Sequence, residues 1–263
     1  MNHPQILALA EALYGALRGR HTLTPLTARF PDLTIDDAYE ISSNLLERRL
    51  QDGETVVGKK IGVTSKPVQE MLDVHQPDFG FLTDRMRYPD GAAISLAGAG
   101  LIQPRAEGEI AFVLKHDLTG PGITRDDVLA ATEYVCPCFE IVDSRIADWK
   151  IRIQDTVADN ASCGVFVLGE QRIDPRSLDL ATVELRMTRN GEPCGSGLGS
   201  AVQGHPAAAV AWLANTLGRF GIPFKRGEII LSGSLAPLVP AVAGDRFEMS
   251  VSGIGTASVS FTA

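Results

Sequence analysis

Two glutamates stand two residues apart in the apolar run Gln103-Pro-Arg-Ala-Glu107-Gly-Glu109-Ile-Ala-Phe-Val-Leu114, and a third, Glu140, ends the run Tyr134-Val-Cys-Pro-Cys-Phe-Glu140. Both runs have the texture of β-strands. Side chains two apart on a strand share a face, so Glu107 and Glu109 stand side by side. Carboxylates that close raise each other's pKa unless a cation neutralises them. Such groups in apolar surroundings must be paired or bind metal. Three converging carboxylates suit a hard divalent ion with positions left open for a substrate, although the same trio would also serve as a solvated strand face or as structural ion pairs.

Other segments offer weaker chemistry. In Gly58-Lys-Lys60-Ile-Gly62, one lysine is expected to face inward and the other solvent. An inward Lys60 near a metal could anchor a carboxylate or move a proton. Asp78, in His75-Gln-Pro-Asp78-Phe-Gly80, reads locally as a turn cap, and becomes a candidate base for water only if it reaches the cleft. Asp155-Thr-Val-Ala-Asp159-Asn160-Ala-Ser162-Cys-Gly164 reads as a polar loop that could equally bring backbone N–H groups and a hydroxyl to a ligand. Leu231-Ser-Gly233-Ser234 follows a strand and could present a hydroxyl to an anion. The five histidines lack metal-ligand spacing, and His205, before Pro206, reads as a helix cap. No Gly-x-Ser-x-Gly elbow, P-loop or strand-linked Gly-x-Gly-x-x-Gly occurs, which argues against serine hydrolase and nucleotide chemistry.

The elements that must position these groups fall into two textures. Ile6, Leu7, Leu9, Ala10, Leu13 and Leu17 make a helical stripe, and a second helix starts near Thr34, with Asp37 as its capping partner, and ends near Gly53. Ser65 and Pro67 open a short helix to about Val74. Strands and glycine turns dominate from Pro77. Strands are expected near 107–115, 134–142, 163–168, 182–189, 228–232, 246–251 and 256–262. A short helix spans Thr124 to Ala131, a longer one Pro206 to Phe220, and Asn190-Gly191 signals a hairpin. Few crossover helices separate the strands, so a doubly wound sheet is disfavoured.

Composition sets outer bounds. The 263 residues, 44% hydrophobic and 21% charged, suit one large globular domain or a core with an appendage. A net charge of −8 with no basic block disfavours nucleic acid. No apolar stretch reaches the length of a membrane span. The opening helix lacks a basic n-region and carries Glu11, so it does not read as a signal peptide. The four cysteines show no CxxC spacing and read as reduced thiols, with a cytoplasmic location expected.

Six segments together carry a family resemblance: Lys60-Ile-Gly-Val-Thr-Ser65, Gln76-Pro-Asp-Phe-Gly80, Pro104-Arg-Ala-Glu-Gly-Glu109-Ile-Ala-Phe, Phe139-Glu-Ile-Val-Asp-Ser-Arg145, Asp155-Thr-Val-Ala-Asp-Asn-Ala-Ser-Cys163 and Ile230-Leu-Ser-Gly-Ser234-Leu. In this order they resemble the 2-hydroxypenta-2,4-dienoate (2-keto-4-pentenoate) hydratases of aromatic meta-cleavage pathways, within the fumarylacetoacetate hydrolase-like superfamily. The resemblance implies an α+β fold, with a helical N-terminal region over 1–75 and a mixed β-roll or barrel catalytic domain over 76–263. It implies Mg²⁺ or Mn²⁺ held by Glu107, Glu109 and Glu140, with Lys60 and Asp78 as catalytic residues. It places Ser162, Val63 and Ser234 at the substrate. The implied substrate is a dienol whose carboxylate and 2-oxygen can chelate a divalent ion, and the implied product is 4-hydroxy-2-oxopentanoate. The relative that shares this pattern is the 4-oxalocrotonate (2-oxo-3-hexenedioate) decarboxylase. A third reading, a non-catalytic partner of that decarboxylase, gives the carboxylate trio no use. No histidine matches the histidine–acid pair of the superfamily's C–C hydrolases. A homo-oligomer is implied, with a ring-based decamer among its forms, as is a complex with the decarboxylase.

Overall fold

The computed structural model describes residues 1–263. Its elements are α1 (His3–Gly19), α2 (Leu26–Arg29), α3 (Ile35–Gln51), β1 (Val56–Gly62), α4 (Lys66–Met71), β2 (Asp78–Thr83), β3 (Arg87–Pro89), β4 (Ala92–Ser95), β5 (Arg105–Leu114), α5 (Arg125–Ala131), β6 (Thr132–Val142), α6 (Ile153–Ala158), β7 (Cys163–Leu168), β8 (Glu184–Arg189), β9 (Glu192–Leu198), α7 (Pro206–Gly218), β10 (Ile229–Leu231), β11 (Val239–Pro240), β12 (Arg246–Val251) and β13 (Gly255–Thr262). No helix is long and apolar enough to cross a membrane.

Helix boundaries follow from side-chain caps. Asn2 and Gln5 close a capping box on α1, Thr34 and Asp37 close one on α3, and Thr124 and Asp127 one on α5. His205 caps α7, its Nδ1 accepting from the Ala207 N–H at 3.1 Å. Ser65 stands at the N-cap of α4 without a side-chain bond, and that helix stops at Met71, short of Val74. Asn190 and Gly191 both take positive φ, 56° and 84°, as a two-residue hairpin turn between β8 and β9 requires.

Two mixed sheets form the core. The larger has the order β2-β1-β10-β5-β6-β7-β3, with β11 also pairing β5, and the smaller β4-β13-β12-β8-β9. On β5, Ala106, Ile110, Phe112 and Leu114 point into the main apolar cluster shared with β12, β13 and α7. Ala111 and Val113 point the other way, into a second lining with Cys136, Cys138, Cys163, Phe166 and Leu231. The strand is thus buried on both faces, which explains its continuous apolar texture. Glu107 and Glu109 continue the second lining toward one end of the sheet.

Packing joins residues on either side of 75/76. β1 is an interior strand of the large sheet, paired with β10 and β2. The helical layer of α1 and α3, for its part, buries Ile146, Ile153 and Val157 from much later in the chain. Glu54 locks this layer to the sheet. Its carboxylate accepts from Arg18 Nη2 at 2.7 Å, Arg49 Nε at 2.8 Å and Thr83 Oγ1 at 2.5 Å.

Glu54→Ala would leave the buried Arg49 guanidinium without its partner. The expected cost is roughly 3–5 kcal/mol, as for breaking a buried ion pair. Urea unfolding should show a lowered midpoint, with Glu54→Gln losing less; an unchanged midpoint in Glu54→Ala would refute the lock.

Candidate active site

Strand register builds the acidic cluster. Glu107 on β5 is the cross-strand partner of Glu140 on β6, and Glu109 lies one step further along the same face. Oxygens of the three carboxylates lie within 4.8 Å of one another, and all three residues are buried. Lys60, on the inward face of β1, sets its ammonium 3.2 Å from Glu140 Oε1. Asp78, at the start of β2, is buried beside Gly62: a Cβ on Gly62 would sit 2.3 Å from Asp78 Oδ1 and 3.2 Å from Lys60 Nζ, so that glycine is what lets the two groups approach. Gly233 makes a second close approach. Its N–H donates to Glu109 Oε2 at 2.9 Å, its φ is +109°, and a Cβ there would collide with the Thr64 side chain.

The charges cannot balance within the protein. Burial first, then the Glu140 charge, push the Glu107 carboxyl up to about 8. Burial, Glu140 and Glu107 push Glu109 well above the usual carboxylate range. Glu140 and Asp78 are also raised by burial, with Lys60 opposing. Burial works against the Lys60 ammonium, but Glu140, Asp78 and Glu107 outweigh it and hold its pKa above the ordinary lysine value. One ammonium thus faces four buried carboxyls. Glu109 Oε1, both Glu140 oxygens and Asp78 Oδ1 are buried without a hydrogen-bond partner. The Lys60–Glu140 pair is close enough for an ion pair but lacks hydrogen-bond geometry. An all-oxygen, under-satisfied donor set of this kind fits a hard divalent cation.

The remaining expected residues are placed less uniformly. Ser234 lies against Glu107 and donates to the Ala236 carbonyl at 2.6 Å. Val63 comes directly after β1 with φ 55°, a left-handed conformation that a β-branched residue rarely takes. It packs against the helical layer, and its carbonyl accepts from Gln69 Nε2 at 2.9 Å. Ser162 is buried with its hydroxyl 3.0 Å from Thr156 Oγ1, and that hydroxyl makes no hydrogen bond to the carboxylate trio. Its neighbour Cys163, however, lies against Glu140.

Three expectations need correction. Lys59 does not face solvent: it is 2% exposed, held by Glu228 at 2.6 Å with its ammonium 5.1 Å from the Phe224 ring. The outer face of β1 is covered by α7, so alternation sends Lys59 into a second interior. Asp78 does not cap a turn but opens a strand, because residues 78–83 pair with β1. Much of the stretch 155–164 is not loop, since α6 runs to Ala158.

Beyond the end of α6 lies a site feature that residue types do not announce. Asn160, Ala161 and Ser162 all take positive φ, 53°, 51° and 52°. Left-handed backbone costs an ordinary residue about 1–2 kcal/mol each, so something must hold it. Arg145 does part of this: its Nε donates to Asp159 Oδ1 at 2.5 Å, its Nη2 to the Asp159 carbonyl and its Nη1 to the Cys163 carbonyl. Asn160 does the rest. Its Oδ1 accepts from the Phe81 N–H at 2.8 Å, and its Nδ2 donates to the Phe81 carbonyl at 3.0 Å. The strand carrying Asp78 is thereby bonded to the turn carrying Ser162. The one signal in the residues is an arginine and two acids flanking apolar runs, the usual mark of a buried polar network.

Comparison with known proteins gives the family. A family model for the fumarylacetoacetate hydrolase C-terminal region matches residues 50–262, and the chain belongs to that family. It is 73% identical over 252 residues to a 2-hydroxyhexa-2,4-dienoate hydratase of Comamonas testosteroni, covering 96% of each chain. It is 61% identical over 222 residues to a 2-hydroxypent-2,4-dienoate hydratase of Pseudomonas putida, covering 84% of this chain and all of that one. Among solved structures it resembles the 4-oxalocrotonate decarboxylase from Pseudomonas putida G7 complexed with magnesium and adipate, with a TM-score of 0.95, 37% identity, and coverage of 99% and 98%.

Asn160→Ala should leave Phe81 unpaired and free the turn. Misplacement of about an ångström at a site can cost up to ~10²-fold in rate. The expectation is a rise in KM for the substrate with divalent-cation affinity by calorimetry unchanged. A variant with wild-type KM would show that the turn holds itself.

Proposed function

We propose that the chain is a divalent-cation-dependent hydratase that adds water to 2-hydroxypenta-2,4-dienoate and yields 4-hydroxy-2-oxopentanoate. The observation that carries this reading is the buried carboxylate trio facing Lys60 and Asp78, in a chain that shares 61–73% identity with hydratases of such dienoates. Glu107, Glu109 and Glu140 would hold Mg²⁺ or Mn²⁺. When bound, that ion supplies Lewis-acid stabilisation of the negative charge that develops on the substrate's 2-oxygen, an effect worth several kcal/mol.

The chain's own groups do the rest. The substrate's 2-hydroxyl proton is lost and a proton is gained at C5, giving the α,β-unsaturated 2-ketone. Water then adds at C4, its oxygen bonding to carbon while its proton passes to a base, and C3 takes up a proton as the ketone re-forms. Asp78 is the base. Burial raises its pKa, which makes it a better proton acceptor than an exposed carboxylate, while Lys60 favours its ionised form. The Lys60 ammonium lies where it can donate to the 2-oxygen as charge builds there. Ser162 and Ser234 hold the substrate carboxylate, with Val63 shaping the wall beside Gly62. The decarboxylase reading rests on the resemblance to the 37%-identical solved structure. It predicts release of CO₂ from a 2-oxo diacid.

Incubating the protein with Mg²⁺ and 2-hydroxypenta-2,4-dienoate should remove the dienol absorbance and form 4-hydroxy-2-oxopentanoate. Asp78→Asn should slow this by ~10²-fold or more, as for loss of a positioned base, while cation binding persists. Turnover of a 2-oxo diacid with CO₂ release, and none of the dienoate, would overturn the hydratase reading.

Cation binding should also expel protons. Without the ion, the Glu107 carboxyl is pushed up to about 8 and burial with the neighbouring carboxylates holds Glu109 well above the usual carboxylate range, so carboxyl protons are retained at pH 7. Coordination needs the ionised forms, so Mg²⁺ should displace about one proton or more at pH 7, and its apparent affinity should rise with pH up to about 8. Calorimetry in buffers of different ionisation heat measures this. Glu109→Ala should abolish Mg²⁺ stimulation and activity together in a folded protein. Cation binding without proton release, or full activity in that variant, would remove the trio from the role.

A further inference from the structure

A cavity of about 320 Å³ opens beside Asp78, between α3, α6 and the segment leading into β2. Its size falls within the range of small-ligand pockets. Ile35, Tyr39, Val74, Ile153 and Val157 are among the residues that line it. Tyr39 is fixed in place by stacking on Phe79, with ring centroids 4.4 Å apart. The hydration mechanism uses none of these five groups.

The order of groups along the site gives the cavity its meaning. The carboxylate trio comes first, then Lys60 on Glu140, then Asp78 beside Lys60 across Gly62. Asp78 lines the cavity, whereas the trio and Lys60 do not. A dienoate with its carboxylate end at the trio and C4 at Asp78 must send anything beyond C5 away from the trio. The cavity is the apolar space on that path.

Charge narrows the occupant. Asp73 and Asp78 line the cavity, and His75 is the one lining side chain able to carry positive charge. A second carboxylate on the tail would meet two acids and no arginine or lysine. We propose that this cavity is a subsite for a neutral alkyl or aryl tail attached at C5 of a 2-hydroxy-2,4-dienoate, so that substrates longer than the five-carbon parent are preferred. The proposal rests on the hydratase reading.

The test compares kcat/KM for the five-carbon dienoate, 2-hydroxyocta-2,4-dienoate and the tail-carboxylated 2-hydroxyhexa-2,4-dienedioate. An apolar pocket discriminates chain length by about 10-fold or more, so the eight-carbon substrate should exceed the parent by that factor and the diacid should not. Val74 and Ile35 are half-buried on the cavity wall, where a larger side chain can enter the space without crowding the core. Val74→Phe and, independently, Ile35→Phe should lower the eight-carbon to five-carbon ratio by about 10-fold or more. Hydration of all chain lengths with equal efficiency, preference for the diacid, or an unchanged ratio in both folded variants would overturn the tail subsite and leave the hydratase reading standing. Hydration of no dienoate would overturn both.

Discussion

Three carboxylates on two neighbouring strands, buried with a single ammonium among them, set the terms for the rest of the molecule. Left alone, such a cluster is destabilising: burial and mutual repulsion keep its members from ionising together. Every nearby device either supports these groups or brings a partner to them. The Gly233 N–H is aimed at Glu109, Lys60 is aimed at Glu140, and Gly62 makes room for Asp78. The fold tolerates the cluster because β5 and β6 are long, internal strands buried on both faces, whose ladder does not depend on what sits at one end.

Part of the chain's left-handed backbone lies around the same place. Val63, Asn160, Ala161 and Ser162 all hold left-handed backbone, and each lies within a few residues of a group assigned to the site. Such conformations persist only where surroundings over-determine them. Here the surroundings are specific: Arg145 and Asp159 beneath the turn, and the Asn160 side chain bridging to Phe81. Because that bridge joins the strand of Asp78 to the turn of Ser162, the two residues are parts of one bonded unit.

How much of this is legible in the residues depends on whether the cause is local. The trio can be read because strand periodicity alone puts Glu107 and Glu109 on one face. That Glu140 pairs with Glu107 is a matter of register, which residue types suggest but do not fix. The caps of α1, α3 and α5 are readable for the same reason, being contacts over three residues. Lys59 defeats the pattern because alternation tells which face a side chain takes but not whether another element covers it. Asp78 defeats it because Pro77 and Gly80 give the segment a turn's composition, while its strand character comes from pairing with β1, outside the segment. The left-handed run at Asn160–Ser162 is not marked by its own three residues, since no glycine announces it and the groups that hold it lie at Arg145 and Phe81. The family resemblance supplies the roles of Lys60, Asp78 and Ser162 that local patterns leave open.

The helical layer belongs to the chemistry rather than beside it. Its apolar cluster is not confined to the first third of the chain; it is completed by Ile146, Ile153 and Val157. Glu54 then fixes α1 and α3 to Thr83 at the far end of the strand that Asp78 begins. The large sheet therefore supplies the carboxylates and the lysine, while the helices supply the apolar wall that meets them at Asp78. A change of side chain on α3 or α6 can alter the space beside Asp78 without touching a single charged group. The acidic end of the fold is constrained by charge balance, and the proposed selection of substrate length falls to that wall.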